Sequence, residues 1–526
     1  MRKTLSRFVR ESWLYPLGPL LYATAVVLFL VTRYSAGLSD TDTFAFYQFI
    51  NNMSESGKLI SGSLNYGQGY GFPSFSTFLV TLTGLDASLF LKVVYSVLGL
   101  ALVAMAFTFF SIVTGSVKLA SLSAFFVLLQ PEILFVLLRG NHEKVTLALV
   151  ILAMLVLVKA PLASNSLAVY GKFMVIFYLF SYSLITTNVG FASSWIFAVA
   201  TSCAVGYLIS WLLSHSEAQA EMKRLFYISV SCLIFVFMFV FYLYLPSLYF
   251  VQALSNVLKQ ATVLLLGAEI STNPYDVINF AWGNPFKYLG LTIFNWTVLL
   301  MSFAMWAKLG VGMITNRFEV PRTPLLMLWL FYGAFGFQLF LAAASDQTGA
   351  IGGNFQIRMF PIFMLFAIPL AVLALDSLVL NVRREGSLRV ITGVFLPLCF
   401  LWFAVGGLWK ATNEPNLSNN WVFHVALEKE GIQWAADHLM HSKMWVDFDQ
   451  RLKVIDDPVT NSFKETNYFD GPVIGKDTRY VMISRIIEER SRRIGMPLPN
   501  VRQENRVYDN GFTEIYQFRP RTIYQD

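Results

Sequence analysis

Apolar runs long enough to span a bilayer recur along this chain, at residues 14–33, 88–112, 118–138, 145–159, 172–187, 191–213, 225–245, 288–308, 323–343, 359–376 and 390–409. A hydrocarbon core of ~30 Å takes about 20 residues of α-helix to cross. Inside that core every backbone N–H and C=O must find a partner, which leaves helices and closed barrels as the spanning structures. The runs are too long and too uniformly apolar for barrel strands, whose residues alternate. The expected fold is therefore an all-α polytopic membrane bundle of about 11 transmembrane helices. A composition of 56% hydrophobic and 13% charged residues excludes a soluble protein.

Charge sets the expected orientation. The formal net charge is +7, but the basic residues form no patch of the kind nucleic acid needs, so no nucleic-acid partner is expected. They sit instead in alternate connections: Arg2, Lys3, Arg7 and Arg10; Lys118; Lys159 and Lys172; Lys223 and Arg224; Lys308, Arg317 and Arg322; Arg383, Arg384 and Arg389. An excess of Lys and Arg marks cytoplasmic loops. This places the N-terminus inside, with residues 14–31 kept as a signal anchor, and an odd number of spans puts the C-terminal tail outside. Residues 247–267 are also apolar, but Lys259 and Gln260 fall at their middle, where the Lys alone costs ~2.5–3.5 kcal/mol. They read as an interfacial helix in an outer loop, 246–287. Cys203, Cys232 and Cys399 all lie in apolar runs and point to neither a disulfide framework nor a thiolate metal site.

The polar residues that could carry chemistry gather on the outer side. The first outer loop, 34–87, opens on Asp40-Thr41-Asp42. Phe46, Phe49, Ile50 and Met53 follow at helical spacing, which predicts a helix lying on the bilayer surface. Next comes Asn65-Tyr66-Gly67-Gln68-Gly69-Tyr70-Gly71-Phe72-Pro73, which reads as a fixed, turn-rich loop packed under that helix. An Asp before a helix is also a common cap, but capping does not account for two. The third run holds Gln130-Pro131-Glu132, and an acid within hydrocarbon needs a partner or a wet cavity. Arg139, Asn141, His142, Glu143 and Lys144 follow, with Glu143 opening the next span toward the first-loop carboxylates. Further on, Asp346-Gln347 and Gly352-Gly353-Asn354-Phe355-Gln356-Ile357-Arg358 precede another span. An outer Arg runs against the charge rule, and its planar fork suits a phosphate.

The tail, 411–526, reads as a small separate α/β domain. Residues 421–440 have helical periodicity, 453–455 and 479–484 look like strands, and 486–493 look helical. Residues 505–518 carry Asp509-Asn510-Gly511 between two β-rich runs, a hairpin signal. His438 and His441 share a helical face with Asp437 but have no further ligand nearby, so a solvated face is the better reading than zinc.

Taken in order, these segments resemble the GT-C superfamily of membrane glycosyltransferases, which includes protein O-mannosyltransferases, aminoarabinose transferases and arabinofuranosyltransferases. The Asp-rich start, surface helix and Tyr/Gly/Pro cluster resemble the family's first outer loop. Pro131 with Glu143 is similar to its second, and Arg358-Met359-Phe360-Pro361 with Pro369 to its Arg-Tyr-x-x-Pro segment. The likeness covers about residues 10–410, and the tail looks like the extracytoplasmic domain of some prokaryotic members. In place of the mannosyltransferases' Asp-Glu pair the chain has Asp40-Thr41-Asp42.

The resemblance implies inverting transfer from a polyprenyl-phosphate-linked sugar donor to a glycan, lipid or protein acceptor at the extracytoplasmic face of a plasma (inner) membrane. It implies Asp42, with Asp40 next, as the base. His142, Glu143, Tyr66 and Tyr70 would orient acceptor and donor, and Arg358, Asn354 and Gln356 would bind the donor phosphate. No cofactor is required, although Asp40, Asp42 and Glu143 offer oxygen ligands for Mg²⁺ or Mn²⁺. Two other classes compete: a transporter or flippase of lipid-linked saccharides, and a polymerase or ligase using the same donors. A transporter should carry midplane charges and two related halves, and neither is visible.

Overall fold

The computed structural model describes residues 15–33, 41–58, 70–163, 167–213, 219–239, 285–315, 321–347, 355–382, 386–412, 426–439, 444–445, 479–485, 488, 498, 500–501 and 503–517. Helices occupy the apolar runs in chain order: α1 (Leu17–Arg33), α4 (Ala87–Thr114), α5 (Val117–Leu128), α6 (Pro131–Leu138), α7 (His142–Ala163), α8 (Leu167–Thr187), α9 (Val189–Leu212), α10 (Gln219–Phe239), α11 (Pro285–Thr315), α12 (Thr323–Gln347), α13 (Phe355–Val382) and α14 (Gly386–Thr412). Two further helices, α2 (Thr41–Ser56) and α3 (Gly71–Thr83), lie between α1 and α4. Among the described residues, seven helices are long and apolar enough to cross a membrane, or eight if the bent pair α5–α6 is one span. The expected interfacial segment 247–267 lies outside the described residues.

Helix α13 is the axis of the bundle. Residues 361–372 are buried without a break, as a helix that is hydrophobic all round must be. It holds Pro361 and Pro369, and α5, α11 and α12 pack against it. Prolines are tolerated inside membrane helices where neighbours surround the freed backbone groups.

Three details depart from the simplest reading of the sequence. First, the run 118–138 is not one rod: α5 and α6 meet at 76°. Gln130 takes an extended backbone (φ −80°, ψ 116°) because a residue before proline is pushed out of the helical region, and Pro131 then starts α6. Second, the Tyr/Gly/Pro cluster ends in a helix, α3, rather than in turns alone. Pro73 sits in its first turn, where its missing N–H costs nothing. Residues 59–69, Tyr66 among them, lie outside the described residues. Third, α4 carries a π-turn at Phe90–Val94, one residue wider than the helix around it.

The apolar face of α2 is covered by protein. Phe46, Ile50 and Met53 are all buried, and the first two pack with Phe72 and Val80 of α3 and with Phe90, Leu91 and Tyr95 of α4.

In the tail, α15 (Ala426–His438) covers a four-stranded sheet of β1 (Met444–Trp445), β2 (Tyr480–Ser484), β3 (Asn505–Asp509) and β4 (Thr513–Gln517), in the order β1-β2-β4-β3. The first pair is parallel and the others antiparallel. Ile432 and Ala435 of the helix meet Met482 and Ile515 of the sheet. Gly511, at φ +78°, closes the β3–β4 hairpin in the left-handed region that glycine tolerates. Residues 453–455 lie outside the described residues, and 486–493 do so apart from Glu488.

Candidate functional site

The site is built around a corner between α8 and α9. Asn188 caps α9 by accepting from the Phe191 N–H at 3.0 Å, and its amide donates to Thr146 Oγ1 at 3.2 Å. Thr146 in turn donates to the carbonyl of His142 at 3.0 Å, which fixes the first turn of α7. Just before the corner, Gly71 meets Thr186 so closely that a Cβ there would lie 2.9 Å from the Thr186 backbone, so α3 begins on α8. Six residues beyond Asn188, Ser194 donates to Gln338 Oε1 of α12 at 2.6 Å and lies 3.5 Å from the sulfur of Met359, next to Arg358. Six helical residues span about 9 Å. The starts of α3, α7 and α13 therefore converge on the last turn of α8 and the first two turns of α9, at one end of the bundle. No local sequence signal announced residues 182–194 as this hub; only the Asn188 cap was readable.

The start of α2 joins them through the turn after α6. A Cβ on Gly140 would lie 2.6 Å from the Leu91 carbonyl oxygen and 2.9 Å from Cγ2 of Thr43. Only glycine lets the 139–141 turn, the π-turn and the first turn of α2 close together. Asp42 is the second residue of α2, directly before the buried Thr43, so its backbone stands beside this turn. The Asp42 side chain, and all of Asp40, lie outside the described residues. Gly140→Ala should lower the thermal midpoint in nanodiscs by several degrees, since overpacking costs about 1–3 kcal/mol. Gly99→Ala, whose Cβ would meet Leu137 at an ordinary 3.6 Å, is the matched control.

Each remaining candidate has a definite setting. His142 is buried edge-on against Phe46 at 5.2 Å and Phe72 at 6.3 Å, so its ring joins α2 and α3 to α7. Glu143 accepts from the Arg139 guanidinium at 3.0 Å and from the Asn141 amide at 3.4 Å, while its N–H donates to Asn141 Oδ1. The Arg139 head group also lies 4.4 Å over the Phe135 ring. Glu143 is thus an ion-paired carboxylate. Arg139 entered the sequence reading without a role, though its spacing of four from Glu143 was a readable signal.

Tyr70 is half exposed, and its phenol is held above its ordinary pKa by a hydrogen bond with Tyr182 and then by burial. Arg358 is exposed in the first turn of α13, beside an exposed Gln356. Asn354 lies outside the described residues, as do the side chains of Asp346 and Gln347. Lys144, to which the sequence reading gave no role, is buried and donates to the Tyr95 carbonyl at 2.6 Å, just past the π-turn. Glu132 has a partner in Lys410 of α14, at 2.7 Å. Among the described residues no three His, Cys, Asp or Glu side chains converge as metal ligands would, and one Glu143 oxygen is engaged by Arg139.

No family model matches the sequence, and no curated protein does. Solved structures do match. The archaeal oligosaccharyltransferase AglB from Archaeoglobus fulgidus, in complex with an inhibitory peptide and a dolichol-phosphate, aligns over 90% of this chain and 70% of its own at 10% identity and a TM-score of 0.53. An apo form of the Archaeoglobus fulgidus oligosaccharyltransferase aligns over 89% and 69%, at 11% identity and a TM-score of 0.50. ArnT from Cupriavidus metallidurans, bound to undecaprenyl phosphate, aligns over 95% and 98% at 12% identity and a TM-score of 0.46. At these identities the likeness is one of fold.

Proposed function

We propose that this chain, whose fold is that of the GT-C superfamily glycosyltransferases, transfers a sugar from a polyprenyl-phosphate-linked donor to an acceptor at the extracytoplasmic face of a plasma (inner) membrane. The observation that carries the reading is the convergence at one end of an apolar bundle. The start of α7 with Glu143 and the Arg-bearing start of α13 meet at the α8–α9 corner, and the 139–141 turn joins the start of α2, where Asp42 lies, to the start of α7. In this reading residues 1–410 form the catalytic membrane domain, with eleven crossings and the N-terminus inside, and residues 411–526 form the extracytoplasmic domain. The Lys and Arg of the opposite loops support that orientation. AglB, solved with a dolichol-phosphate, supports a lipid-phosphate partner for this fold.

The chemistry is a single displacement. The acceptor oxygen or nitrogen attacks the anomeric carbon from the side away from the phosphate. Its bond to that carbon forms as the carbon–oxygen bond to the phosphate breaks, so the anomeric configuration inverts. The acceptor proton passes to a carboxylate, Asp42 with Asp40 as the alternative. The electron pair leaves on the phosphate oxygen, where the fixed charge of Arg358, with Asn354 and Gln356 beside it, offsets the growing negative charge. Glu143, His142, Tyr66 and Tyr70 orient the sugar and the acceptor. Asp40, Asp42 and Glu143 would be the ligands of any Mg²⁺ or Mn²⁺, and no step above is routed through one.

The test is turnover in nanodiscs with a panel of labelled undecaprenyl-phosphoryl sugars and an envelope extract as the acceptor source. Label should move to acceptor, with release of undecaprenyl phosphate and inverted configuration. Retained configuration would overturn the single displacement. Intact donor crossing the bilayer with no bond broken would make the protein a flippase instead.

A further inference from the structure

The 76° bend between α5 and α6 gets little from the side chains at its own corner. Pro131 has no N–H to give. Gln130 is fully buried, yet neither end of its amide has a partner among the described residues, and Glu132 Oε2 has none either. The Gln130 backbone donates to the Val127 carbonyl at 3.2 Å and accepts from the Leu134 N–H at 2.9 Å, closing α5 and opening α6, but no hydrogen bond from the Gln130 side chain braces one helix against the other.

Helix α14 grips the bend from both sides instead. Gly407 lies so close that a Cβ there would stand 2.9 Å from the Leu129 carbonyl oxygen. Three residues on, and on the same helical face, Lys410 Nζ donates to Glu132 Oε1 at 2.7 Å. The side chains of this pair are 12% and 19% exposed. Buried ion pairs contribute little net stability against apolar residues of the same size, so stability alone is a poor reason for one here; fixing a register is the better-attested use.

What the pair fixes is short and leads directly to the site. Helix α6 has eight residues, about 12 Å, and its far end runs into Arg139, Gly140, Asn141 and Glu143. Tilting such a rod by ~10° about its start moves its end by ~2 Å, enough to open the contacts of Gly140 with Leu91 and Thr43. Displacements of that size matter to a reaction that depends on placement.

We infer that Glu132 and Lys410 are positioning residues for transfer, their ion pair holding α6 at the angle that delivers the 139–143 turn to the start of α2. The word transfer rests on the reading above; the geometric part does not.

The experiment compares wild type with Lys410→Met, Lys410→Arg, Lys410→Met/Glu132→Leu and the exchange Lys410→Glu/Glu132→Lys, all in nanodiscs. Amide exchange over residues 133–147 and 41–56 is read together with the thermal midpoint and undecaprenyl phosphate binding. Lys410→Met should speed exchange across the 139–146 amides at least tenfold, with 41–56 following. The apolar double variant should recover the midpoint but not the protection, and Lys410→Arg and the charge exchange should recover both. If the apolar pair restores midpoint and protection together, the ion pair is packing and the inference falls. Should Lys410→Met fail to fold, the apolar double variant carries the same comparison. A chain that transfers no sugar but loses protection as described would overturn the transferase reading and leave the positioning role standing.

Discussion

Asp42→Asn should lower sugar transfer by about 10²–10⁴-fold, the range a positioned general base contributes. The amide matches the carboxylate in size and still accepts a hydrogen bond, but it cannot take up the acceptor's proton. Folding and undecaprenyl phosphate affinity should stay within about twofold of wild type, because the proton is removed in the reaction and not in donor binding. Single-turnover release of undecaprenyl phosphate separates the two effects. Turnover at the wild-type rate would move the base role to Asp40 or Glu143. Glu143 is the weaker heir, since the Arg139 guanidinium at 3.0 Å already occupies one of its oxygens.

Arg358→Ala should weaken undecaprenyl phosphate binding by about ten- to hundred-fold, the loss of one or two charge-assisted hydrogen bonds. Equilibrium binding in nanodiscs of neutral lipid reads this directly. Arg358→Lys should fall between the two, because an ammonium keeps the charge but loses the planar fork. The side chain is exposed in the first turn of α13, so its removal leaves no hole in the core. The neighbouring Met359 makes its own contact with the bundle, its sulfur 3.5 Å from the Ser194 hydroxyl. Unchanged affinity would reduce Arg358 to an anchor among lipid headgroups.

How much of this could be read from the sequence depended on the range of the forces involved. Helix positions follow from hydropathy within some twenty residues, so they were readable. So was the buried face of α2, from the spacing of Phe46, Ile50 and Met53, and its packing on the Tyr/Gly/Pro segment, although the share of the π-turn in covering it was not. The β3–β4 hairpin announced itself through Asn510-Gly511, whose backbone requirement is local. Helix α3 was hidden because glycine, tyrosine and proline in a cluster read equally well as turns, and only its neighbours decide that Pro73 begins a helix. A partner for Glu132 was required by the cost of a buried acid, but nothing local pointed to Lys410, 278 positions away. The α8–α9 hub is likewise a product of packing among six helices, and no window of sequence contains it.

The π-turn at Phe90–Val94 has a consequence of a different kind. A π-turn holds one residue more than the helix around it, and one residue of helix is a rotation of about 100° and a rise of ~1.5 Å. Gly140 closes on the carbonyl of Leu91 within this turn and on Thr43 of α2, and Lys144 reaches the carbonyl of Tyr95 just past it. The phase between these contacts is kept by the surplus residue. In this segment, chain length itself carries information. An exposed loop can gain or lose a codon with little effect, but an in-frame loss here would turn the docking surface for α2 away from the bundle while removing no residue to which any chemistry has been assigned.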